Sequence, residues 1–336
     1  MIDELARLPD PAAAHDELRR RGPHRTPDGR WVVAGAADVT AVLGSPAARI
    51  GFATDPARPV TAWQARMARF TDGAEHAPRR AAVQRLLAGL DPAALRADAA
   101  AATTARIAGV AELDAVVLGR QVPVAVLAAA LGVGDPGAAV AAVAELAAAL
   151  APRLDAAPPP ADAAVAALRD PLAHLPGDPA AAMGLLFQSY DATAALIGAA
   201  AARLDGGPVD VDRLVATVLR ADGPVQLTTR VAGTGLAVGG RAVPAGDRVV
   251  VVLAAAGTDP ADPARRSFAF GAGPHACPGA REAVAIAAGV LDALVAAGAA
   301  ATGAVAAHEP RLNLRVPVGA TLRLSAAPSG SPRPAG

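Results

Sequence analysis

The sequence predicts a single domain that is mainly α-helical and contains small β-sheets. Long alanine- and leucine-rich segments with helical spacing occupy most of the 336 residues, and 53% of the residues are hydrophobic, which is enough for a large core. Runs of β-branched residues are few and lie at 31–33, at 249–253 and, more weakly, within 312–324. No run of serine, glycine or charge divides the chain. We therefore expect one domain over residues 1–326 and a disordered tail over 327–336, which is rich in Ser, Pro and Gly.

The charge balance limits the classes of partner. Basic and acidic residues are equal in number, so the formal net charge is zero and the basic surface of a nucleic-acid or anionic-membrane binder is not expected. Apolar stretches are interrupted by prolines or by acids such as Glu145 before they reach the roughly 20 residues of a membrane span. The first residues carry acids and a proline where a secretory signal needs a basic start and an apolar run. The sequence thus predicts a cytoplasmic protein whose partners are small molecules and other proteins.

One long helix is predicted in the middle of the chain. Asp178 and Pro179 form a good helix start, and the apolar pattern runs to Leu204 before Gly206 and Gly207 end it. At 1.5 Å per residue, a helix of about 27 residues is roughly 40 Å long. Such a helix crosses the whole molecule.

The loop around the single cysteine carries the clearest chemical signal. One cysteine excludes an intrachain disulfide and a zinc site built on several thiolates, which leaves a nucleophile, a single-thiolate ligand or an inert core residue. Pro278 suits the first position of a helix and Gly298 its stop, so Cys277 is predicted at the helix N-cap, where free backbone N–H groups favour a thiolate. The same loop offers tight turns and an aromatic face beside a flat ligand, through Gly271, Gly273, Gly279 and Phe270.

This loop resembles the heme loop of the cytochrome P450 superfamily. Residues 270–279 match the signature F-x-x-G-x-H-x-C-x-G at every defined position, and a helical pattern follows directly. The resemblance extends over nearly the whole chain, in the order of parts of the bacterial soluble members. It implies a P450-like fold and a heme b cofactor whose iron is ligated by the Cys277 thiolate. The alternative is a lone buried cysteine that acts as a small hydrophobe.

The resemblance also implies which side chains surround the heme. Phe270 and Gly279 would border it, and the residues that match the family's clamp on the two propionates are His76, Arg80, Arg230 and His275. Taken alone, His76 and Arg80 share a helix face and are equally consistent with a solvated pair. The remaining histidines, His15, His24, His174 and His308, are expected at the surface.

The long helix departs from the family at its oxygen-binding segment. The family pattern is roughly A-G-x-[DE]-T, in which the acid and the threonine deliver protons during oxygen activation. Asp191 matches the acid, but Ala192 replaces the threonine, and Thr193 follows about 100° further around the helix. Other polar groups of this segment that are candidates for the relay are Gln188, Ser189 and Tyr190. The alternative is a helix that tolerates a polar patch against a neighbour.

Three further departures are visible. The family's E-x-x-R pair reads Thr217-x-x-Arg220, so its ion pair cannot form in the usual way. In the family, the E-x-x-R pair forms a brace beneath the heme loop. The meander before Phe268 is shortened here, which leaves Arg265 or Arg266 as a candidate third member of that brace. The segment at 134–178, which matches the family's substrate-covering helices, is compressed, and three consecutive prolines predict a surface connection within it. The resemblance then implies a more open distal pocket.

These features leave several functions open. The leading hypothesis is a monooxygenase-like oxidative enzyme of bacterial secondary metabolism that acts on a small organic molecule, free or bound to a carrier. Its oxidant would be oxygen, with electrons from a ferredoxin-type partner that docks near Arg220, Arg265, Arg266 and Arg281, or peroxide. The alternatives are a heme-thiolate enzyme of non-hydroxylating chemistry, such as coupling, rearrangement, dehydration or a peroxide-driven step, and a non-catalytic heme-binding scaffold.

Overall fold

Helices make up most of the chain in the computed structural model, which describes residues 2–51, 58–150 and 161–325. The predicted tail and most of the proline-rich connection at 155–161 lie outside these ranges. The helices are α1 (Ala12–Arg21), α2 (Ala36–Gly44), α3 (Pro59–Gln64), α4 (His76–Ala88), α5 (Pro92–Ile107), α6 (Ala115–Ala130), α7 (Pro136–Leu150), α8 (Asp162–Arg169), α9 (Pro179–Ala201), α10 (Val211–Ala221), α11 (Leu253–Gly257) and α12 (Ala280–Ala296). No helix in the described ranges is long and apolar enough to cross a membrane.

The strands are short and form small sheets, as predicted. They are β1 (His24–Arg25), β2 (Trp31–Val33), β3 (Ala48–Arg49), β4 (Glu112–Asp114), β5 (Thr228–Ala232), β6 (Ala237–Val238), β7 (Arg241–Ala242), β8 (Arg248–Val251), β9 (Ala300–Ala301), β10 (Ala307–His308), β11 (Pro317–Val318) and β12 (Thr321–Arg323). The largest sheet has the order β1-β2-β8-β5-β3, and a second has the order β4-β12-β9. The fold class is therefore mainly α with small sheets.

The largest sheet positions one wall of the site. Strand β8 pairs in parallel with β2 and antiparallel with β5, so that Val249 lies opposite both Trp31 and Arg230. The strand predicted at 249–253 begins and ends earlier, because Leu253 already starts α11. The weaker pair within 312–324 forms β11 and β12, which pair with β10 and with β4 and β9 rather than with each other.

Helix α9 begins where the sequence predicts. The Asp178 carboxylate accepts a hydrogen bond of 2.9 Å from the Ala180 N–H, and Pro179 occupies the first turn. The helix ends at Ala201 instead of Leu204, because the last turn tightens: the Leu204 N–H bonds the Ala201 carbonyl at 3.0 Å. Its 23 residues span about 35 Å.

The alanine- and glycine-rich composition allows close helix packing. Helix α9 crosses α6 where Gly119 lies against Ala194, and a Cβ at Gly119 would be only 2.8 Å from the Ala194 Cα. Helix α12 approaches α5 equally closely, since a Cβ at Gly289 would lie 2.1 Å from the Arg96 carbonyl oxygen. Helices α7 and α8 lie against each other and against α9, in the segment predicted to hold compressed covering helices. These contacts hold α9 in the centre of the molecule.

One predicted surface residue is buried. His15 is 3% exposed, because it shares the inner face of α1 with Leu18 and this face packs against α11. Its Nε2 atom has no hydrogen-bond partner among the described residues. Burial, followed by the neighbouring Arg19 cation, lowers the pKa of His15 to about 4. His24 and His308 are half-buried, and only His174 is exposed as expected.

We predict an acid-sensitive stability from His15. Its pKa falls from 6.5 in the unfolded chain to about 4 in the fold, so the unfolded chain binds more protons in this window and stability is lost as the pH falls through it. The contribution to the free energy of unfolding is about 3 kcal/mol. Urea unfolding of His15→Leu should show a flatter dependence on pH between 6.5 and 4, with the exposed-site variant His174→Gln as control. An unchanged slope in His15→Leu would contradict this account.

Candidate active site

A cavity of about 440 Å³ lies between α9 and the cysteine loop. Helix α4 and the 3₁₀ turn Ala68–Phe70 close one side, and strand β5 closes another. Many of the side chains that line it are apolar, among them Met67, Leu127, Leu185, Leu196 and Ile286. Polar side chains that line it include His76, Arg80, Arg230, His275 and Thr193.

The cysteine loop is folded back on itself beneath the cavity. The Cys277 N–H donates to the Phe270 carbonyl at 2.8 Å, which closes the loop. Gly271 and Gly273 both have a φ of +68°, and a Cβ at Gly273 would lie 2.2 Å from the Leu43 carbonyl oxygen. Only glycine suits this position, because both the backbone angle and the close approach exclude a side chain.

Cys277 does not occupy the helix N-cap. Helix α12 begins at Ala280, and Gly279 is its N-cap. The prediction was wrong because a 3₁₀ turn at Gly273–His275 and the bond to Phe270 end the loop earlier, so that Pro278 and Gly279 fill the space before the helix. The predicted stop is confirmed, since the helix ends at Ala296 and Gly298 has a φ of +62°.

The environment of the Cys277 thiol differs from the one predicted. Burial raises its pKa, and this effect outweighs the Gly279 N–H bonded to the sulfur and the nearby Arg69 and Arg80 cations, which lower it. The loop alone therefore does not favour the thiolate. A bound metal ion would favour the thiolate, because a thiol that coordinates a metal is deprotonated outright.

Four predicted cationic or donor side chains converge on this cavity. His76, Arg80, Arg230 and His275 all line it, together with Phe270 and Gly279. The His76 and His275 rings lie 4.1 Å apart, centroid to centroid. Burial is the largest cause of a lowered pKa in both histidines and in Arg230. The structure thus brings together residues that are up to about two hundred positions apart in the chain.

These groups are only partly satisfied by the protein. One Arg80 terminal nitrogen donates to the Ala276 carbonyl at 2.8 Å, and Arg230, which is 6% exposed, donates to Thr228 Oγ1 and the Thr229 carbonyl, both at 3.0 Å. Among the described residues neither arginine has a carboxylate in an ion pair. His275 Nε2 lies 3.2 Å from Asp72 Oδ1, but its buried Nδ1 has no partner. Arginines without a carboxylate partner suit bound carboxylates.

The polar segment of α9 is divided between two faces. Gln188, Ser189, Ala192 and Thr193 line the cavity, at the spacing of one helix face. Tyr190 and Asp191 do not line it. Thr193 is 5% exposed, whereas the Gln188 amide nitrogen and the Ser189 hydroxyl already donate to carbonyls of their own helix.

Asp191 belongs to a charged cluster behind the cavity wall. Its Oδ1 accepts from Arg120 at 2.8 and 3.0 Å, and its Oδ2 lies 3.2 Å from an Arg311 nitrogen. Glu309 binds both arginines, and the Tyr190 ring lies 5.5 Å from the Arg120 guanidinium carbon. Sequence reasoning missed this cluster, although Arg120 is a visible signal because it interrupts the otherwise apolar helix α6.

The brace expected beneath the cysteine loop is missing, as the sequence predicts. The Thr217 hydroxyl donates to the Arg213 carbonyl of its own helix at 2.8 Å, and Arg220 forms no ion pair with any described residue. Arg266 does not join them, because it pairs with the buried Asp262 at 3.1 Å. Asp222, two residues after Arg220, pairs with Arg315 at 2.7 Å and with Arg203 at 3.1 Å.

The wall also holds charged residues that were not predicted, among them Arg69 and Glu282. One Glu282 carboxylate oxygen is buried without a partner among the described residues. Glu282 lies on the cavity face of α12 near Cys277, where it raises the pKa of the thiol. No local pattern distinguishes these two residues from surface charges, since their exposure depends on the loop and the 3₁₀ turn.

The residues present fit a heme. The thiol of Cys277 faces the cavity from a glycine-lined loop that leaves room for a flat group, as heme-thiolate ligation requires. Arg80 and Arg230 provide donors for two carboxylates.

Comparisons with solved structures identify the fold. Mycobacterium smegmatis CYP164A2 in its ligand-free state is 27% identical, with a TM-score of 0.72 over 94% of this chain and 96% of that chain. P450BioI, in complex with an acyl carrier protein ligated to hexadec-9Z-enoic acid, is 17% identical, with a TM-score of 0.76 over 94% and 98%. P450 RauA, complexed with a biosynthetic intermediate of aurachin RE, is 22% identical, with a TM-score of 0.76 over 94% and 96%. No protein-family model and no curated protein matches the sequence.

We predict that Arg80→Ala and Arg230→Ala weaken heme retention. Each substitution leaves a propionate without a charge-assisted hydrogen bond worth about 1.5–3 kcal/mol. Transfer of heme to an acceptor protein should be roughly tenfold faster or more. Arg85→Ala is the matched control, because Arg85 is an exposed residue of the same helix that does not line the cavity. Rates equal to wild type in both variants would mean that other residues hold the propionates.

Proposed function

We propose that this chain, which has the fold of the cytochrome P450 superfamily, is a heme-thiolate oxidative enzyme that acts on a small organic molecule in bacterial secondary metabolism. The observation that carries the proposal is the Cys277 thiol, which faces a cavity beside Arg80 and Arg230, two arginines that have no carboxylate partner among the described residues. The substrate class is supported by RauA, a structural neighbour in complex with a biosynthetic intermediate.

The chain's own residues account for cofactor binding. Cys277 would ligate the iron, His76, Arg80, Arg230 and His275 would hold the propionates of heme b, and Phe270 and Gly279 would border the ring. When bound, heme supplies oxidation chemistry driven by oxygen or peroxide. The apolar wall formed by residues such as Leu127, Leu185 and Leu196 orients an apolar substrate and excludes water.

Proton delivery to the cavity is the step that this chain has altered. Ala192 lines the cavity with a methyl group, which cannot carry a proton, and Thr193 supplies a hydroxyl one position later on the same wall. Asp191 is held outside by Arg120 and Arg311, so it can move a proton into the cavity only after it breaks these ion pairs. Gln188 and Tyr190 are secondary candidates, and Tyr190 faces away from the cavity. This arrangement supports a second candidate, in which the enzyme uses peroxide or performs coupling, rearrangement or dehydration.

Two kinds of macromolecular partner are compatible with the surface. Arg220, Arg265, Arg266 and Arg281 are exposed and offer positive charge to an acidic ferredoxin-type electron donor. P450BioI is a neighbour in complex with an acyl carrier protein, which supports a carrier-bound substrate as one option. A non-catalytic heme-binding scaffold is the remaining alternative, and it draws its support from the missing brace at Thr217 and Arg220.

The absorption spectrum tests the proposal. The reduced carbon monoxide complex of wild type should show the red-shifted Soret band of thiolate ligation, and Cys277→Ser should lose it because the variant has no other cysteine to replace the ligand. Wild-type protein that fails to bind heme after reconstitution would refute the assignment.

Turnover with two oxidants tests the altered proton path. If the enzyme avoids proton delivery to the cavity, Ala192→Thr should leave native turnover unchanged or lower it. Asp191→Asn should then lower the turnover rate with peroxide by less than about tenfold. Product yield per electron and per oxygen consumed is the measurement. Efficient coupling in wild type that is destroyed by Asp191→Asn or Thr193→Ala would instead indicate monooxygenase chemistry with a displaced relay.

A further inference from the structure

Arg69 presents a cationic side chain to the cavity. It lies in the 3₁₀ turn Ala68–Phe70, directly after Met67, which faces Gly184 of α9: a Cβ at Gly184 would lie 3.6 Å from Met67 Cγ. Met67, Ala68, Arg69 and Phe70 all line the cavity. This turn thus forms part of the wall between α9 and the cysteine loop, where a substrate has to lie.

Among the described residues, no side-chain or backbone acceptor is bonded to Arg69 and no carboxylate pairs with it. Its guanidinium carbon lies 5.5 Å from the centroid of the Phe70 ring. Nearby arginines differ: Arg66 pairs with Asp178 at 2.8 Å, and Arg79 pairs with Glu75 at 2.9 Å. Arg69 is therefore the arginine of this wall segment whose charge the described protein does not neutralise.

The charge of Arg69 acts inside the cavity. Burial lowers the pKa of its guanidinium. The same charge lowers the pKa of Arg230, so Arg69 lies within electrostatic reach of that side chain. A guanidinium stays protonated even so, because its ordinary pKa exceeds about 12. A guanidinium that faces a cavity without a counter-ion is a good partner for a carboxylate, which can bind it in two-pronged geometry.

Two carboxylates can reach this cavity, a heme propionate and an acid group on the substrate. The propionate donors are already present without Arg69, in Arg80, Arg230, His76 and His275. Arg69 instead shares its turn with Met67, which packs against Gly184 of α9, and α9 lines the cavity through Gly184, Leu185 and Ala192. The substrate carboxylate is therefore the better partner.

We propose that Arg69 binds the carboxylate of an apolar acid, which makes it the residue that selects an anionic substrate. The inference rests on the proposed heme-thiolate function, because the same cavity holds both groups. Around Arg69 the wall offers apolar side chains to the rest of such a molecule, among them Met67, Leu185 and Leu196.

The test compares decanoate with decanamide on heme-loaded protein, by isothermal titration calorimetry and by the shift of the Soret band. Wild type should bind decanoate about tenfold more tightly or better, which is the expected gain from a charge-assisted pair. Arg69→Gln should bind both compounds equally, at the amide affinity of wild type. Arg69→Lys should keep part of the preference for decanoate, since lysine retains the charge but lacks the two parallel N–H donors of a guanidinium. Arg85→Gln, at an exposed residue that does not line the cavity, should keep all of it.

Heme content and heme-loss rate, measured on the same samples, distinguish a failure of this inference from a failure of the proposed function. Wild type that holds heme but shows no preference for decanoate would overturn this inference and leave the proposed function intact. Arg69→Gln that loses heme as fast as Arg80→Ala would also overturn it, because Arg69 would then hold a propionate. Wild type that holds no heme would overturn the proposed function, and this inference with it.

Discussion

The ion pairs of Asp191 determine which side of the central helix faces the cavity. Two arginines from other parts of the chain, Arg120 of α6 and Arg311, bind the two oxygens of this carboxylate on the outer face of α9. A buried cluster of this kind resists rotation, because turning the helix would leave charges unpaired at low dielectric. Close packing at Gly119 and Ala194 fixes the same helix in translation. The cavity wall, with Ala192 and Thr193 on it, follows from these two constraints.

The cavity itself is electrostatically incomplete. Arg69, Arg80 and Arg230 face it, and the described residues give none of them a carboxylate in an ion pair. The Cys277 thiol is open to the cavity, yet the protein around it raises its pKa. A metal ion that deprotonates the thiol and carboxylates that pair with the arginines would satisfy all these groups together. This shared requirement ties the proposed cofactor and the proposed acid substrate to one physical cause.

Helix ends that are fixed by residues next to them in the chain could be predicted from the sequence. The start of α9 followed from the Asp178 cap and Pro179, and the stop of α12 followed from Gly298. Features that depend on distant partners were missed. His15 was assigned to the surface because it lies outside the motifs of the resemblance, and its burial comes from α11. Asp191 could be placed beside Ala192 in the chain, but its direction depends on Arg311, which is more than a hundred residues away.

X-ray absorption at the iron edge of the purified, heme-loaded protein tests the central claim most directly, because it reports the atoms bound to iron. The account predicts one sulfur scatterer in the first coordination shell of wild type, absent in Cys277→Ser. A shell of nitrogen and oxygen alone in wild type, or sulfur that persists in Cys277→Ser, would contradict it.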